Sequence, residues 1–264
     1  ERAQEFSQKF GFLAAYRDVD EMLNQENLDG CIAVVPPESI SELGIKLLRR
    51  SIPCVVEKPL GSSLAEAQAL RNSAATTKTP NMVSVNRRFM PLLNQALEWT
   101  RHVGRLRYVR CTLARHKRKE PEFLWATAVH AVDTLRYIAG QVIAFDLRSL
   151  KAPSGATAWH AVDLHFENGI SGRVDVLPTA GMVEETYDLF GDGFRASVTC
   201  PFGAQLGWRC FRDGRLVEAV TIPAETPEEI VNGCYDEAAA FVEMLSRGTP
   251  KPSIAEVFPS VELC

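Results

Sequence analysis

The chain has 264 residues, is 46% apolar and 23% charged, and carries a formal net charge of −4. That is ordinary soluble globular composition, enough for one large or two modest domains, and its slightly acidic balance gives no support for nucleic-acid binding by bulk charge. No apolar run approaches the ~20 residues of a membrane span, and no signal peptide is visible at the start.

Taken in chain order, residues 2–10 are polar with Phe6 and Phe10 four apart, one face of a helix that Gly11 would cap. Asp18 or Asp20 caps a second short helix through Leu23. Leu28-Asp29-Gly30 is a turn, and Cys31-Ile32-Ala33-Val34-Val35 reads as a buried strand ended by Pro36-Pro37. Ser39 or Ser41 is expected to cap a helix with Ile40, Leu43, Leu47 and Leu48 on one side. The next strand, 52–56, runs into Glu57-Lys58-Pro59. Ser63 and Glu66 have capping-box spacing, opening a helix to about Thr76. Met82-Val83-Ser84-Val85 is a third strand. Strands alternating with helices of ~10–14 residues are the pattern of βαβ units and a parallel sheet. Continuous apolar runs suit strands buried on both faces.

After residue 86 the pattern changes. A helix is expected over 91–102, a strand over 106–114, and a helix over 124–139 closed by Gly140. Strand signals then dominate at 142–150, 157–166, 170–177, 185–190, 194–199, 206–212 and 215–222. Asn168-Gly169 and Asp213-Gly214 are hairpin turns, so the sheet is expected to be mostly antiparallel. Val162, Leu164 and Phe166 alternate with Trp159 and Ala161, giving that strand apolar character on both faces. One sheet face should therefore pack on helices and the other on a second subunit. Thr226 and Glu229 have capping-box spacing, opening a long helix through Leu245 with Tyr235, Ala238, Phe241, Val242 and Leu245 on its apolar face.

Lys58 sits at or just past the carboxyl end of a strand, the edge at which ligands bind in open α/β sheets. From the residues alone it is a proton donor, an electrostatic clamp or an ordinary surface lysine. His130 is a proton-transfer group or a packed core histidine. Arg87 and Arg88 meet a ligand or bridge the domains, and the basic run His116-Lys117-Arg118-Lys119 is a solvated loop or a cover over an anionic substrate. The seven cysteines (31, 54, 111, 200, 210, 234, 264) contain no C-x-x-C pair, which suits reduced thiols in a cytoplasmic protein. The five histidines do not pair with cysteines or acids at ligand spacing, so no metal site is expected. The chain starts at Glu1 in what reads as mid-helix and stops at Cys264 inside another element. The expectation is that residues precede and follow it.

The segment Leu28 to Pro37, then Val55-Val56-Glu57-Lys58-Pro59-Leu60, then Val85-Asn86-Arg87-Arg88-Phe89-Met90-Pro91, then His130-Ala131-Val132-Asp133 with Leu135 to Gly140, resembles the Gfo/Idh/MocA (glucose–fructose oxidoreductase/inositol dehydrogenase) family. The resemblance covers essentially the whole chain in order and spacing. It implies a partial Rossmann dinucleotide-binding domain over 1–85, followed over 86–264 by an open, mostly antiparallel β-sheet domain with helices on one face. The fold class is α/β plus α+β. It implies NAD or NADP as cofactor, a sugar-like or polyol substrate, and a homodimer or homotetramer through the open sheet.

By the same resemblance, Lys58 and His130 are the catalytic candidates. The cofactor side comprises Pro36, Pro37, Glu57, Lys58 and Asn86. The substrate side comprises Arg88, His116, Trp125 and His130. Oxidising an alcohol needs a base for the hydroxyl proton and positive charge for the developing alkoxide, roles that suit a histidine and a lysine. The chain departs from the family at Ala126, where an Asp is usual, at Ile40, where a histidine often follows the proline turn, and in having no Gly-rich phosphate loop. The loop would lie before Glu1, and it is Ala126 and Ile40 that motivate the alternative, a non-catalytic member that senses a ligand or binds a partner.

Overall fold

The computed structural model describes residues 2–120, 122–151, 159–248 and 250–264. The first two residues of the expected strand 157–166 lie outside that set.

The first part alternates helix and strand. α1 (Arg2–Phe10) ends at Gly11. α2 (Val19–Gln25) is capped by Asp18, whose carboxylate accepts the Glu21 N–H at 3.0 Å. β1 (Cys31–Ala33) leads into α3 (Pro37–Arg49). That helix starts earlier than a serine cap would allow. Pro37 takes the first turn, where a missing N–H costs nothing. Ser41 is buried and donates to the Glu66 carbonyl at 2.9 Å, tying α3 to the next helix. β2 (Cys54–Glu57) is followed by α4 (Leu64–Thr77). Ser63 caps α4, but the Glu66 carboxylate reaches the N–H of Ser62, one residue short of a reciprocal box. β3 (Asn81–Ser84) completes a parallel sheet in the order β1-β2-β3.

A 3₁₀ turn (Asn86–Phe89) and α5 (Pro91–Val103) lead to β4 (Leu106–Ala114). A π-helical turn (Leu124–Ala128) then runs into α6 (Val129–Ala139). Seven strands follow: β5 (Val142–Leu150), β6 (Trp159–Phe166), β7 (Ser171–Leu177), β8 (Glu184–Gly191), β9 (Phe194–Thr199), β10 (Gly207–Arg212) and β11 (Arg215–Thr221). With β4 they form one sheet in the order β11-β10-β9-β8-β4-β7-β6-β5. Every neighbouring pair is antiparallel except β4 and β7. Asp213 and Gly214 both have positive φ, as a tight two-residue hairpin requires.

Alternation sets the two faces of this sheet. Val109, Cys111 and Leu113 of β4, with Val174 and Val176 of β7, point inward and share a core with Leu93, Ala131 and Leu135 of the helices. Along β6 the apolar residues fall on both faces as expected, with Val162, Leu164 and Phe166 buried and Trp159 exposed on the other side. Outward positions carry a ladder of ion pairs: Arg148–Asp163, Arg173–Asp163 (3.1 Å), Arg173–Asp175 (2.8 Å), Arg110–Asp175 (2.7 Å) and Arg195–Asp188 (2.7 Å).

The long helix expected to 245 is two helices, α7 (Glu228–Val231) and α8 (Cys234–Arg247), with Pro227 rather than Thr226 at the cap. Gly233 separates them with φ +82°, and a Cβ there would lie 2.4 Å from the Asn86 carbonyl oxygen. The kink rotates α8. Its inward residues are Glu237 and Phe241, while Tyr235 and Val242 are more than half exposed. α9 (Ile254–Glu262) opens on a reciprocal capping box between Ser253 and Glu256. Its Ile254, Val257, Phe258 and Val261 pack into the core around β1–β3, and the Val83 N–H donates to the Pro252 carbonyl at 2.9 Å. No helix among the described residues is long and apolar enough to cross a membrane.

Candidate active site

Glu57 ends β2, and Lys58 follows it at the carboxyl edge of the parallel sheet. The Lys58 N–H donates to its neighbour's carboxylate (3.1 Å), and its Nζ donates to the main-chain carbonyl of Ala126 at 2.8 Å. Trp125, beside Ala126, donates its indole N–H to the Gly61 carbonyl at 2.7 Å. The π-helical turn is thus pinned across the exit of β2 at two points. Such turns recur at functional sites because they displace one residue from the helical register.

His130, one residue into α6, is 8% exposed, and its Nδ1 has no hydrogen-bond partner among the described residues. Burial drives its pKa well below the usual histidine value, and the charges of Arg87, Lys58 and Arg115 push it the same way. The imidazole is therefore neutral near pH 7. Burial likewise lowers the Lys58 ammonium, with Glu57 opposing and Arg87 and Arg118 reinforcing the shift.

Two acid clusters lie at this edge, and their buried members Glu237 and Glu185 were not singled out from the sequence. In the first, the Ser84 hydroxyl donates to Glu237 Oε2 at 2.7 Å and lies 3.4 Å from Glu57 Oε1. Burial raises both carboxyls, Glu237 to about 8, while Oε1 of Glu237 has no partner among the described residues. In the second, the fully buried Glu185 accepts from Arg87 at 2.9 Å and from Arg115 at 2.6 Å. Burial favours protonation of Glu185, but the two guanidiniums outweigh it and hold the carboxyl below its usual range. The Phe202 ring lies against both arginines. A signal existed in each case. Glu185 is in phase with Tyr187 and Leu189 on the inward face of a strand, and Glu237 is four residues before Phe241 on a helix.

The remaining candidates are spread around this centre. Pro36 and Pro37 lie at the carboxyl end of β1, at the start of α3. Asn86 is turned to the Asn232 carbonyl (2.7 Å), and its Oδ1 accepts from Arg87. Arg88 is occupied by Asp133 through two bonds of 2.8 and 2.7 Å, and Ser260 also donates to Asp133. His116 is exposed on the loop after β4. Ile40, which stands where a histidine often follows the proline turn, is a core residue. Among the described residues no group of His, Cys, Asp and Glu is arranged to hold a metal ion.

Comparison with known proteins agrees with this architecture. The model of the oxidoreductase family with an NAD-binding Rossmann fold (GFO_IDH_MocA) matches residues 1–86. A 4-carboxy-2-hydroxymuconate-6-semialdehyde dehydrogenase from a Sphingobium species is 28% identical over 156 residues, which are 54% of this chain and 49% of that protein. The match therefore spans about half the length of that curated relative. A Gfo/Idh/MocA family oxidoreductase from Vibrio cholerae superposes with a TM-score of 0.85 at 20% identity, covering 98% of this chain and 83% of its own. An oxidoreductase from Agrobacterium radiobacter, solved with NAD+, L-tartaric acid and magnesium, superposes with a TM-score of 0.79 at 17% identity over 99% of this chain and 83% of its own. Residues 1–86, which hold the parallel sheet, thus match the NAD-binding Rossmann fold of the Gfo/Idh/MocA oxidoreductase family, and the solved structures share the fold of the chain over nearly its whole length.

Proposed function

We propose that this chain carries the chemistry of an NAD- or NADP-dependent oxidoreductase acting on a CH–OH group of a sugar, polyol or related hydroxy or keto substrate. The observation that carries this reading is the neutral, buried His130 with an unpaired Nδ1, held in the field of Lys58 at the carboxyl edge of the parallel sheet. A lone pair in that state accepts a hydroxyl proton. An ammonium beside it stabilises charge developing on the same oxygen.

The residues present fit the nicotinamide end of a dinucleotide. Lys58 Nζ has three N–H groups and one partner among the described residues, and His130 Nδ1 is unsatisfied, so donors and an acceptor remain for a polar ligand. Pro36, Pro37 and Lys58 would hold the cofactor at the strand ends. Bound there, it would supply the two-electron redox chemistry. Glu57 fixes the Lys58 backbone through its carboxylate, and Trp125 ties the turn that leads into His130 to Gly61.

A second reading is favoured by one observation. Ala126 puts no acid one turn before His130, and its carbonyl occupies Lys58. That arrangement suits a member that binds ligand without turnover.

We further propose that residues 1–85 form the cofactor domain and 86–264 the substrate domain, and that the open sheet face joins two or four copies of the chain. Free cysteines at all seven positions support a cytoplasmic setting. Addition of NADH or NADPH is expected to change nicotinamide fluorescence, and no change with either nucleotide would remove the cofactor assignment. Turnover on a polyol and sugar panel separates the enzyme from the sensor.

A further inference from the structure

The buried charge around His130 does not balance. The charged groups that act on the imidazole are Arg87, Lys58 and Arg115, all positive. Arg87 and Arg115 are 7% and 6% exposed, and they share a single carboxylate, Glu185. Their other acceptors are neutral: the Asn86 side-chain oxygen for Arg87, and the carbonyls of Ala114 and Glu184 for Arg115. Lys58 has the neutral Ala126 carbonyl at its Nζ, and among the described residues Glu57 is the acid that acts on it. Two buried arginines and the half-buried Lys58 thus face two carboxylates among the described residues. Glu237, the third acid at this edge, is largely protonated near neutral pH and adds little compensation.

A buried cation without a counter-ion is costly, because desolvation is not offset by attraction. An anion placed beside such a surplus and its unfilled donors offsets that cost. Lys58 has N–H groups to spare.

We propose that the site takes an anionic substrate, a small hydroxy or keto acid whose carboxylate lies against Lys58 and offsets the surplus cation of the Arg87–Glu185–Arg115 triad. The inference rests on the oxidoreductase reading for the location of the reacting group. It narrows the substrate from polyols in general to acids. The carboxylate accepts from Lys58, and the adjacent hydroxyl faces His130 Nδ1.

Matched pairs test it. Tartrate is compared with threitol, and malate with butane-1,2,4-triol, by isothermal titration at one ionic strength set with chloride. Each pair keeps the carbon chain and inner hydroxyls and exchanges carboxylate for CH₂OH. Both series are run with and without NADH, which separates a substrate carboxylate from the phosphates of the cofactor as the source of the anion. In either series the acid of each pair is expected to bind tighter by about tenfold or more, the worth of one charge-assisted bond. The preference is expected to collapse in Lys58→Gln and to persist in Arg148→Gln, a control on the open sheet face. Equal or tighter binding of the polyols overturns the proposal. So does an absence of acid binding in both series, or a preference that survives Lys58→Gln. The wild-type comparison stands alone if Lys58→Gln does not fold. NADH fluorescence keeps the two ideas apart. Dinucleotide binding with a polyol preference removes this inference alone, whereas an acid preference without dinucleotide binding removes the oxidoreductase reading alone.

Discussion

Lys58 Nζ donates a 2.8 Å hydrogen bond to the main-chain carbonyl of Ala126, 68 residues along the chain. The contact fastens the turn that leads into His130 to the edge of the parallel sheet. It uses a neutral acceptor where the family resemblance implies an acid. A carbonyl orients the ammonium without cancelling its charge, so the field of Lys58 reaches His130 and adds to the burial and the Arg87 charge that keep the imidazole neutral.

Replacing that neutral contact tests the coupling. Ala126→Asp places a carboxylate one helical turn before His130, where it favours the charged imidazole. The His130 pKa is expected to rise by about one unit or more, read from its imidazole NMR shifts across pH. Lys58→Met should raise the same pKa by removing a like charge. If His130 titrates unchanged in both variants, the two side chains are not electrically coupled.

The Lys58 ammonium is also the group expected to stabilise charge on the reacting oxygen. Lys58→Ala should lower kcat by about 10²–10³, as loss of one preorganised electrostatic donor does elsewhere. Denaturation midpoints of the variant distinguish this from unfolding. Full turnover in a folded Lys58→Ala chain would take the catalytic role away.

Glu237 makes stability depend on pH in a stated direction. Its folded pKa is raised by burial to about 8, against a reference value of 4.5. In the unfolded chain the carboxyl ionises at the lower value, so between the two the folded state holds the extra proton. The contribution of Glu237 is fully present below about pH 4.5 and is lost as pH rises towards 8. Glu237→Gln keeps a neutral amide beside Ser84 and removes the titration. Urea melts should show the variant gaining on the wild type across that window, by a few kcal/mol in total, with no further change above it. A difference that stays constant with pH would mean that Glu237 is ionised in the fold.

Much of this architecture was legible beforehand, and the exceptions share a cause. The strands of the large sheet follow from alternation, and its tight turns from Asn168-Gly169 and Asp213-Gly214. What local pattern could not supply is a constraint arriving from far along the chain. The helix expected to 245 breaks at Gly233 because the Asn86 backbone comes too close for a Cβ. α9 was not read at all, although Ser253 and Glu256 spell its cap, because its packing surface is formed by the first part of the chain. The Arg115–Glu185 contact joins residues 70 apart, one just past the end of β4 and the other on the neighbouring β8. The sequence motif named Lys58 and His130, but the acids that hold their neighbours Arg87 and Ser84 lie on β8 and α8.

The Glu185 cluster gives the steepest stability prediction. Glu185 is fully buried and holds both Arg87 and Arg115, which link the segment after β3 to the end of β4. Glu185→Gln preserves shape and removes the carboxylate that those guanidiniums share. Breaking a buried ion pair from one side leaves uncompensated charge, at a cost of about 3–5 kcal/mol. Asp163→Asn, in the half-exposed ladder on the open face, removes contacts to Arg148 and Arg173 at a cost below about 1 kcal/mol because water screens them. Chemical denaturation of the two variants should therefore differ several-fold. Salt should narrow the Asp163 effect and leave the Glu185 effect in place, since ions do not reach the buried triad. Comparable losses in both variants would place Glu185 in contact with solvent and undo the charge surplus on which an acid-binding site depends.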